Sequence, residues 1–141
     1  MHQGVSVNAE SSPAGGTPLL VASKHGQLSC LQILLDAGAE IDRPNEDGHT
    51  SLYCAAYGGQ LAALELLLAF GAKVQGWSSS QTDPLCAAAF NGYLDCVRAL
   101  VSAGAPIVSG RKYGHSALNN AVQNGHVEIV KYLLHLSLIH I

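Results

Sequence analysis

The chain has 141 residues, of which 48% are hydrophobic and 12% are charged. This composition supplies enough apolar surface for one folded domain and is unlike that of disordered or collagen-like chains. The formal net charge of −3 leaves no basic stripe for a phosphate backbone, and no apolar run reaches the roughly 18 residues that cross a bilayer, so we predict neither a nucleic-acid partner nor a membrane span.

A period of 33 residues organises the chain from Thr17 onwards. Four columns recur at this spacing without a gap: Thr17, Thr50, Asp83 and Ser116; Leu19, Leu52, Leu85 and Leu118; Ala22, Ala55, Ala88 and Ala121; Gly26, Gly59, Gly92 and Gly125. A second glycine column consists of Gly38, Gly71 and Gly104. A fixed period of about 20 to 50 residues is typical of stacked repeat arrays. Such arrays usually present a surface and do not enclose a reaction centre.

Each repeat predicts two helices. The Thr17 column supplies N-cap side chains, which accept hydrogen bonds from first-turn amides, and Pro18 and Pro84 suit the first helical position. The first helix ends at the Gly26 column and the second at the Gly38 column, because glycine readily adopts the left-handed conformation. An extended stretch and a polar turn then lead to the next repeat. In the second helix of the first repeat, the apolar residues at helical spacing are Leu28, Leu31, Leu34 and Leu35.

This pattern resembles the ankyrin repeat. The family's helix-opening motif, Thr-Pro-Leu-His-x-Ala, appears first as Thr17-Pro18-Leu19-Leu20-Val21-Ala22. The motif histidine is replaced in all four repeats, by Leu20, Tyr53, Cys86 and Asn119. The family's Gly-His-x-x-Val-Val element is nearly intact at Gly125-His126-Val127-Glu128-Ile129-Val130. The resemblance covers about residues 4–135 and implies an all-α ankyrin-repeat solenoid of paired antiparallel helices with short hairpin-like turns, in four repeats of which the last is truncated.

The repeat register divides the chain into three parts. Residues 15–135 form the ankyrin repeats, at about 15–47, 48–80, 81–113 and 114–135. Residues 1–14 are either the tail of a preceding repeat, with one extra residue in its loop, or a flexible leader. The register fails after His135, and residues 136–141 match the translation of a common sequencing adapter. We interpret residues 136–141 as a non-native tail, the alternative being a natural C-terminus that extends the last helix.

The sequence contains no catalytic or metal-binding motif. It has no Gly-x-Ser-x-Gly elbow, no phosphate-binding Gly-x-x-x-x-Gly-Lys loop, no His-Glu-x-x-His and no Cys-x-x-Cys. We therefore predict that these residues form no enzyme and bind no cofactor or metal. Cys30, Cys54, Cys86 and Cys96 fall in core-facing columns, and we predict that they pack in the core. Since the start of the chain resembles no signal peptide, we expect an intracellular, cytoplasmic protein.

The resemblance also implies protein binding. In ankyrin proteins, a partner usually contacts the turn tips and the ends of the first helices, on the concave face. At these positions the candidate binding residues are Lys24, His49, Tyr57, Trp77, Phe90, Asn91, Tyr113 and His115. Because Tyr57 and Phe90 share a column, we predict an aromatic stripe that continues onto the turn tips. Alternatively, Tyr57 and Phe90 pack against neighbouring turns, and His49 and His115 are solvated.

We therefore predict a monomeric scaffold or adaptor that binds a protein partner through its concave face and turn tips. The alternative is a regulatory or substrate-recruiting segment of a larger enzyme, channel or ubiquitin-ligase subunit. The sequence beyond His135 would distinguish the two, because a catalytic, membrane-spanning or degradation-adaptor segment there would decide between them.

Overall fold

The computed structural model describes residues 5–9, 16–75, 83–107 and 117–139. Within these ranges the chain forms eight α-helices and no strand. The helices are α1 (Pro18–His25), α2 (Leu28–Asp36), α3 (Ser51–Tyr57), α4 (Leu61–Ala69), α5 (Pro84–Asn91), α6 (Leu94–Ser102), α7 (Ala117–Gln123) and α8 (Val127–Ile139). They form one pair in each repeat, so the prediction of an all-α repeat fold is confirmed.

The helices pack in two rows with a continuous core between them. In the first row α3 packs against α1, α5 against α3 and α7 against α5, and α2, α4, α6 and α8 form a looser second row. Leu19, Leu52 and Leu85 of the first row are at most 1% exposed. Ala55 and Ala88 are completely buried. These small side chains allow close approach in the first row, and each repeat covers the apolar face of its neighbour.

The predicted helix starts are confirmed only in part. The Thr50 side chain accepts a hydrogen bond from the Tyr53 amide at 3.2 Å, and Asp83 accepts one from the Leu85 amide at 3.0 Å. The Thr17 hydroxyl, by contrast, is buried and has no hydrogen-bond partner within the described residues. At α1, the extended backbone of Thr17 and the proline that follows it begin the helix without a side-chain cap. Ser116 lies outside the described residues.

The apolar spacing of α2 predicts its buried side only partly. Leu31 and Leu35 are buried, and Leu34 is half-buried against the core. Leu28 is 42% exposed, because it lies in the first turn of α2 and lines an open depression between α2 and α4. Helical spacing therefore identifies the core side of α2 correctly but includes one residue at its edge.

Glycine at the end of each first helix satisfies two constraints. Gly26, Gly59, Gly92 and Gly125 all have left-handed backbone angles, as predicted. In addition, a side chain of the next repeat lies directly against three of them. A Cβ atom on Gly59 would lie 2.6 Å from the ring of Tyr93, and a Cβ atom on Gly92 would lie 2.6 Å from the ring of His126. Glycine thus ends the helix and also leaves room for the following repeat.

We expect Gly59→Ala to destabilise the protein more than Gly125→Ala. The two glycines share a column and have similar φ values of 67° and 70°, but nothing lies within 4 Å of the position of a Cβ atom at Gly125. Gly125→Ala should therefore cost only the left-handed strain of about 1–2 kcal/mol. Gly59→Ala should add about 1–3 kcal/mol of overpacking against Tyr93. Urea unfolding measures both changes, and equal losses would contradict the role of Gly59 in stacking.

The prediction that all four cysteines pack in the core is wrong for Cys30. Cys86 and Cys96 are buried and Cys54 is intermediate, whereas Cys30 is exposed. Cys30, Ala63 and Cys96 share a column, and the last two are each 1% exposed because a preceding helix packs against α4 and α6. No described helix covers the corresponding side of α2. Cys30 is therefore exposed by its place at the end of the described stack.

We expect only Cys30 to react rapidly with thiol reagents at about pH 8. Burial raises the pKa of the Cys54 and Cys96 thiols to about 11, so roughly one thiol in a thousand is ionised at each site at that pH. Cys86 is shielded by burial. Maleimide labelling followed by intact-mass spectrometry should show one fast adduct, which Cys30→Ser removes. Rapid labelling of Cys96 would contradict its buried position.

The same pKa shifts predict a loss of stability at high pH. Unfolded cysteines lose their protons near the ordinary pKa of 9.0, whereas folded Cys54 and Cys96 keep theirs until about pH 11. The unfolded state therefore binds fewer protons between these values, and the free energy of unfolding should fall as the pH rises through this window. The double variant Cys54→Ala, Cys96→Ala should show a shallower fall. Alanine suits both sites, since Ala87 and Ala63 occupy the same columns.

The two ends of the described chain relate differently to the repeat pattern. The Asn8 side chain accepts a hydrogen bond from the Glu40 amide at 3.0 Å, as Asp42 does from the Lys73 amide at the same distance. The contact between residues 5–9 and repeat one is therefore of the same kind as the contact between the end of repeat one and repeat two. At the other end, α8 continues to Ile139, beyond the position where a glycine follows the other second helices. The interpretations of residues 1–14 and 136–141 stay predictions.

Candidate functional site

A groove lies between the C-terminal halves of α1 and α3 and the turn at residues 45–49. We call it the α1–α3 groove; its volume is about 550 Å³. It brings together Lys24, His49 and Tyr57, three residues that the sequence analysis predicted separately. Its lining residues are Leu20, Val21, Lys24, His25, Asn45, Asp47, His49, Tyr53, Cys54 and Tyr57.

The turn that forms one wall of the groove is held by Asn45. The Asn45 side-chain oxygen accepts hydrogen bonds from the amides of Asp47, at 2.9 Å, and His49, at 3.0 Å. The Asn45 amide in turn donates to the His49 carbonyl at 3.0 Å. Asparagine stabilises turns in this way because its side chain imitates a backbone acceptor. The turn therefore holds Asp47 and His49 in place without help from a ligand.

Three aromatic rings stack along the same wall. The ring centroids of His49 and Tyr53 are 4.4 Å apart with planes 16° from parallel, and those of Tyr53 and Tyr57 are 6.0 Å apart at 26°. We call His49, Tyr53 and Tyr57 the aromatic ladder. Tyr57, at its end, is 50% exposed. Stacking restricts the rings before any partner arrives, which lowers the entropy cost of burying them.

Tyr53, at the centre of the ladder, was not among the predicted binding residues. In the sequence it stands out only as one of four replacements of the motif histidine. The signal was present in the spacing, because His49, Tyr53 and Tyr57 follow one another at intervals of four residues, which places neighbours on one helical face. Burial raises the pKa of the Tyr53 hydroxyl, with a smaller contribution from Tyr57, so this phenol stays protonated and able to donate a hydrogen bond.

Opposite charges lie on the two walls of the groove. Lys24 is in the last turn of α1, where a cation interacts favourably with the helix C-terminus. The charge of Lys24 acts on a groove residue, because it lowers the pKa of the Cys54 thiol and so partly offsets the increase that burial causes. Asp47 lies on the turn. Neither residue forms an ion pair within the described parts of the chain.

The remaining predicted residues of the described chain lie one repeat further along. Phe90 is 38% exposed and shares the column of Tyr57, but among the described residues no ring contact joins the two. The Asn91 side chain donates a hydrogen bond to the Tyr57 carbonyl at 2.9 Å. Asn91 thus links two repeats. The sequence pattern predicted it only as an exposed partner-binding residue and did not indicate this contact. The role of Asn91 in partner binding, like that of Phe90, stays a prediction.

Three predicted residues, Trp77, Tyr113 and His115, lie outside the described residues. The continuation of the aromatic stripe onto those turn tips therefore also stays a prediction. In the part of the chain that the structure describes, no group of three or more His, Cys, Asp or Glu side chains is arranged to hold a metal ion. No helix in that part is both long enough and apolar enough to cross a membrane.

Comparison with known families agrees with the observed architecture. A model of ankyrin repeats in many copies matches residues 6–68, and a model of three ankyrin repeats matches residues 75–140. The chain belongs to the ankyrin-repeat family. Ankyrin repeats are generally protein–protein interaction modules and are typically non-catalytic. No curated protein matches the chain significantly.

Proposed function

We propose that this ankyrin-repeat chain acts as a monomeric scaffold or adaptor that binds a partner protein on its concave face, with the α1–α3 groove at the centre of the contact. The observation that carries the proposal is the convergence of Lys24, His49 and Tyr57 on one groove. Their positions in the sequence indicate only that each belongs to a first-helix end or a turn. The groove supplies a surface on which one partner segment can touch all three.

The aromatic ladder provides the main source of binding energy. Tyr57 is half-exposed, so a partner that covers it removes an aromatic ring from water. Tyrosine is frequent at interface hot spots, and a ring already held by stacking loses little conformational freedom on binding. Phe90 extends the same surface into the next repeat. The alternative function, a regulatory or substrate-recruiting segment of a larger protein, stays a prediction from the sequence.

We expect Tyr57→Ala to weaken partner binding by about 2 kcal/mol or more, because it removes a hot-spot ring. The partner is first obtained by affinity capture with the wild-type protein, and calorimetry then measures each variant against the purified partner. Tyr53→Ala should also weaken binding, since it removes the support of Tyr57.

The matched control is Phe70→Ala. Phe70 directly follows α4, which belongs to the second row of helices. Its side chain is aromatic and 43% exposed, close to the 50% of Tyr57. Phe70→Ala should change affinity by well under about 1 kcal/mol, as should Glu65→Ala on the same helix. If Phe70→Ala weakens binding while Tyr57→Ala leaves it unchanged, the proposed surface is wrong. Circular dichroism of each variant separates loss of binding from loss of fold.

A further inference from the structure

The α1–α3 groove has charges of opposite sign on its two walls and apolar surface between them. Lys24 is exposed on the α1 wall, and Asp47 is exposed on the turn wall. Neither forms an ion pair within the described residues, so both charges remain available to a ligand. A charge without a partner at the rim of a groove contributes to selecting what enters it.

The surface between the two charges favours an apolar side chain. Leu20, which is only 3% exposed, lines the groove together with Cys54, whose thiol stays uncharged at neutral pH because burial raises its pKa to about 11. Val21, which is 44% exposed, faces the same space as Tyr57. An aliphatic or aromatic side chain placed there would cover apolar surface on both walls.

The turn wall is acidic and fixed in position. Glu46 is exposed next to Asp47, and the backbone of Asp47 is held by the hydrogen bond from its amide to the Asn45 side chain. On the opposite wall, Lys24 is held at its backbone, since its carbonyl accepts a 3.4 Å hydrogen bond from the Gln60 side chain. Both charges are therefore carried by residues whose backbone is hydrogen-bonded to another part of the chain.

We propose that the groove selects an extended peptide segment of the partner that carries an apolar side chain between an acidic and a basic residue. The acidic residue pairs with Lys24, the apolar side chain packs between Val21 and Tyr57, and the basic residue pairs with Asp47. A segment with two acidic or two basic residues gains one of these pairs but places a like charge against the other wall. The charge pattern therefore also sets the direction in which the segment lies. This inference rests on the proposed function.

The experiment uses a phage-displayed library of random peptides, selected against the wild-type protein, with binding of the enriched peptides then measured by fluorescence anisotropy. Enriched peptides should share an apolar residue flanked by opposite charges. Lys24→Glu should weaken such a peptide about tenfold or more, because it sets a like charge against the acidic residue. A peptide in which that acidic residue is replaced by lysine should bind Lys24→Glu again. Likewise, Asp47→Lys should weaken the original peptide, and replacing the basic residue of the peptide by glutamate should restore its binding to Asp47→Lys.

The controls distinguish this inference from the proposed function. Glu65→Lys, a charge reversal on the outer helix α4, should leave the binding of every enriched peptide unchanged. If the peptides bind Tyr57→Ala more weakly but bind Lys24→Glu and Asp47→Lys as well as the wild type, the proposed selection by charge is wrong, whereas the proposed binding surface is supported. If they bind Tyr57→Ala and both charge variants as well as the wild type, both proposals are wrong. Failure to enrich any peptide would also overturn the inference.

Discussion

The close contacts of Gly26, Gly59 and Gly92 with a side chain of the next repeat determine how closely the described repeats stack. Tyr93 lies against Gly59 and His126 lies against Gly92 so closely that a Cβ atom would overlap their rings. The absence of one carbon atom therefore lets neighbouring first helices approach until their alanine and leucine columns are buried. The distance between α1 and α3, and with it the width of the groove, depends on this approach.

The same region of each repeat supports both the fold and the candidate site. Lys24, Tyr57 and Phe90 occupy one column near the ends of the first helices, and the carbonyl of each accepts a hydrogen bond from a side chain of the following repeat. The donors are Gln60 to Lys24 at 3.4 Å, Asn91 to Tyr57 at 2.9 Å and Asn124 to Phe90 at 2.7 Å. The backbone of this column is therefore fixed by stacking, while its side chains remain exposed. Such an arrangement presents side chains to a partner from a rigid support.

The periodic pattern predicts the features that every repeat shares and fails where a repeat has unusual neighbours. The leucine, alanine and glycine columns correctly predicted the paired helices and the core, because each of these residues contacts its own repeat or the corresponding part of an adjacent repeat. Cys30 was misplaced since its column is covered only when another repeat precedes it. Tyr53 was overlooked because its contact with His49 joins a helix to a turn. The groove could not be predicted for the same reason, since it needs the turn of repeat one to face the ends of two helices.

Variation within the column that contains Lys24, Tyr57 and Phe90 shows how a repetitive fold can present a surface that differs from repeat to repeat. The positions equivalent to Lys24 are occupied by Tyr57, Phe90 and Gln123, four different side chains on one type of backbone site. The neighbouring alanine column is constant over the same repeats, because burial between helices tolerates no larger group there. Changes at the variable column alter the charge and size of the surface without disturbing the core. In this chain, the cationic member lies at one end of the column and its two aromatic members follow, so the surface differs in chemistry from one repeat to the next. A partner that matches this order must therefore bind in one register along the stack, although the underlying scaffold repeats every 33 residues.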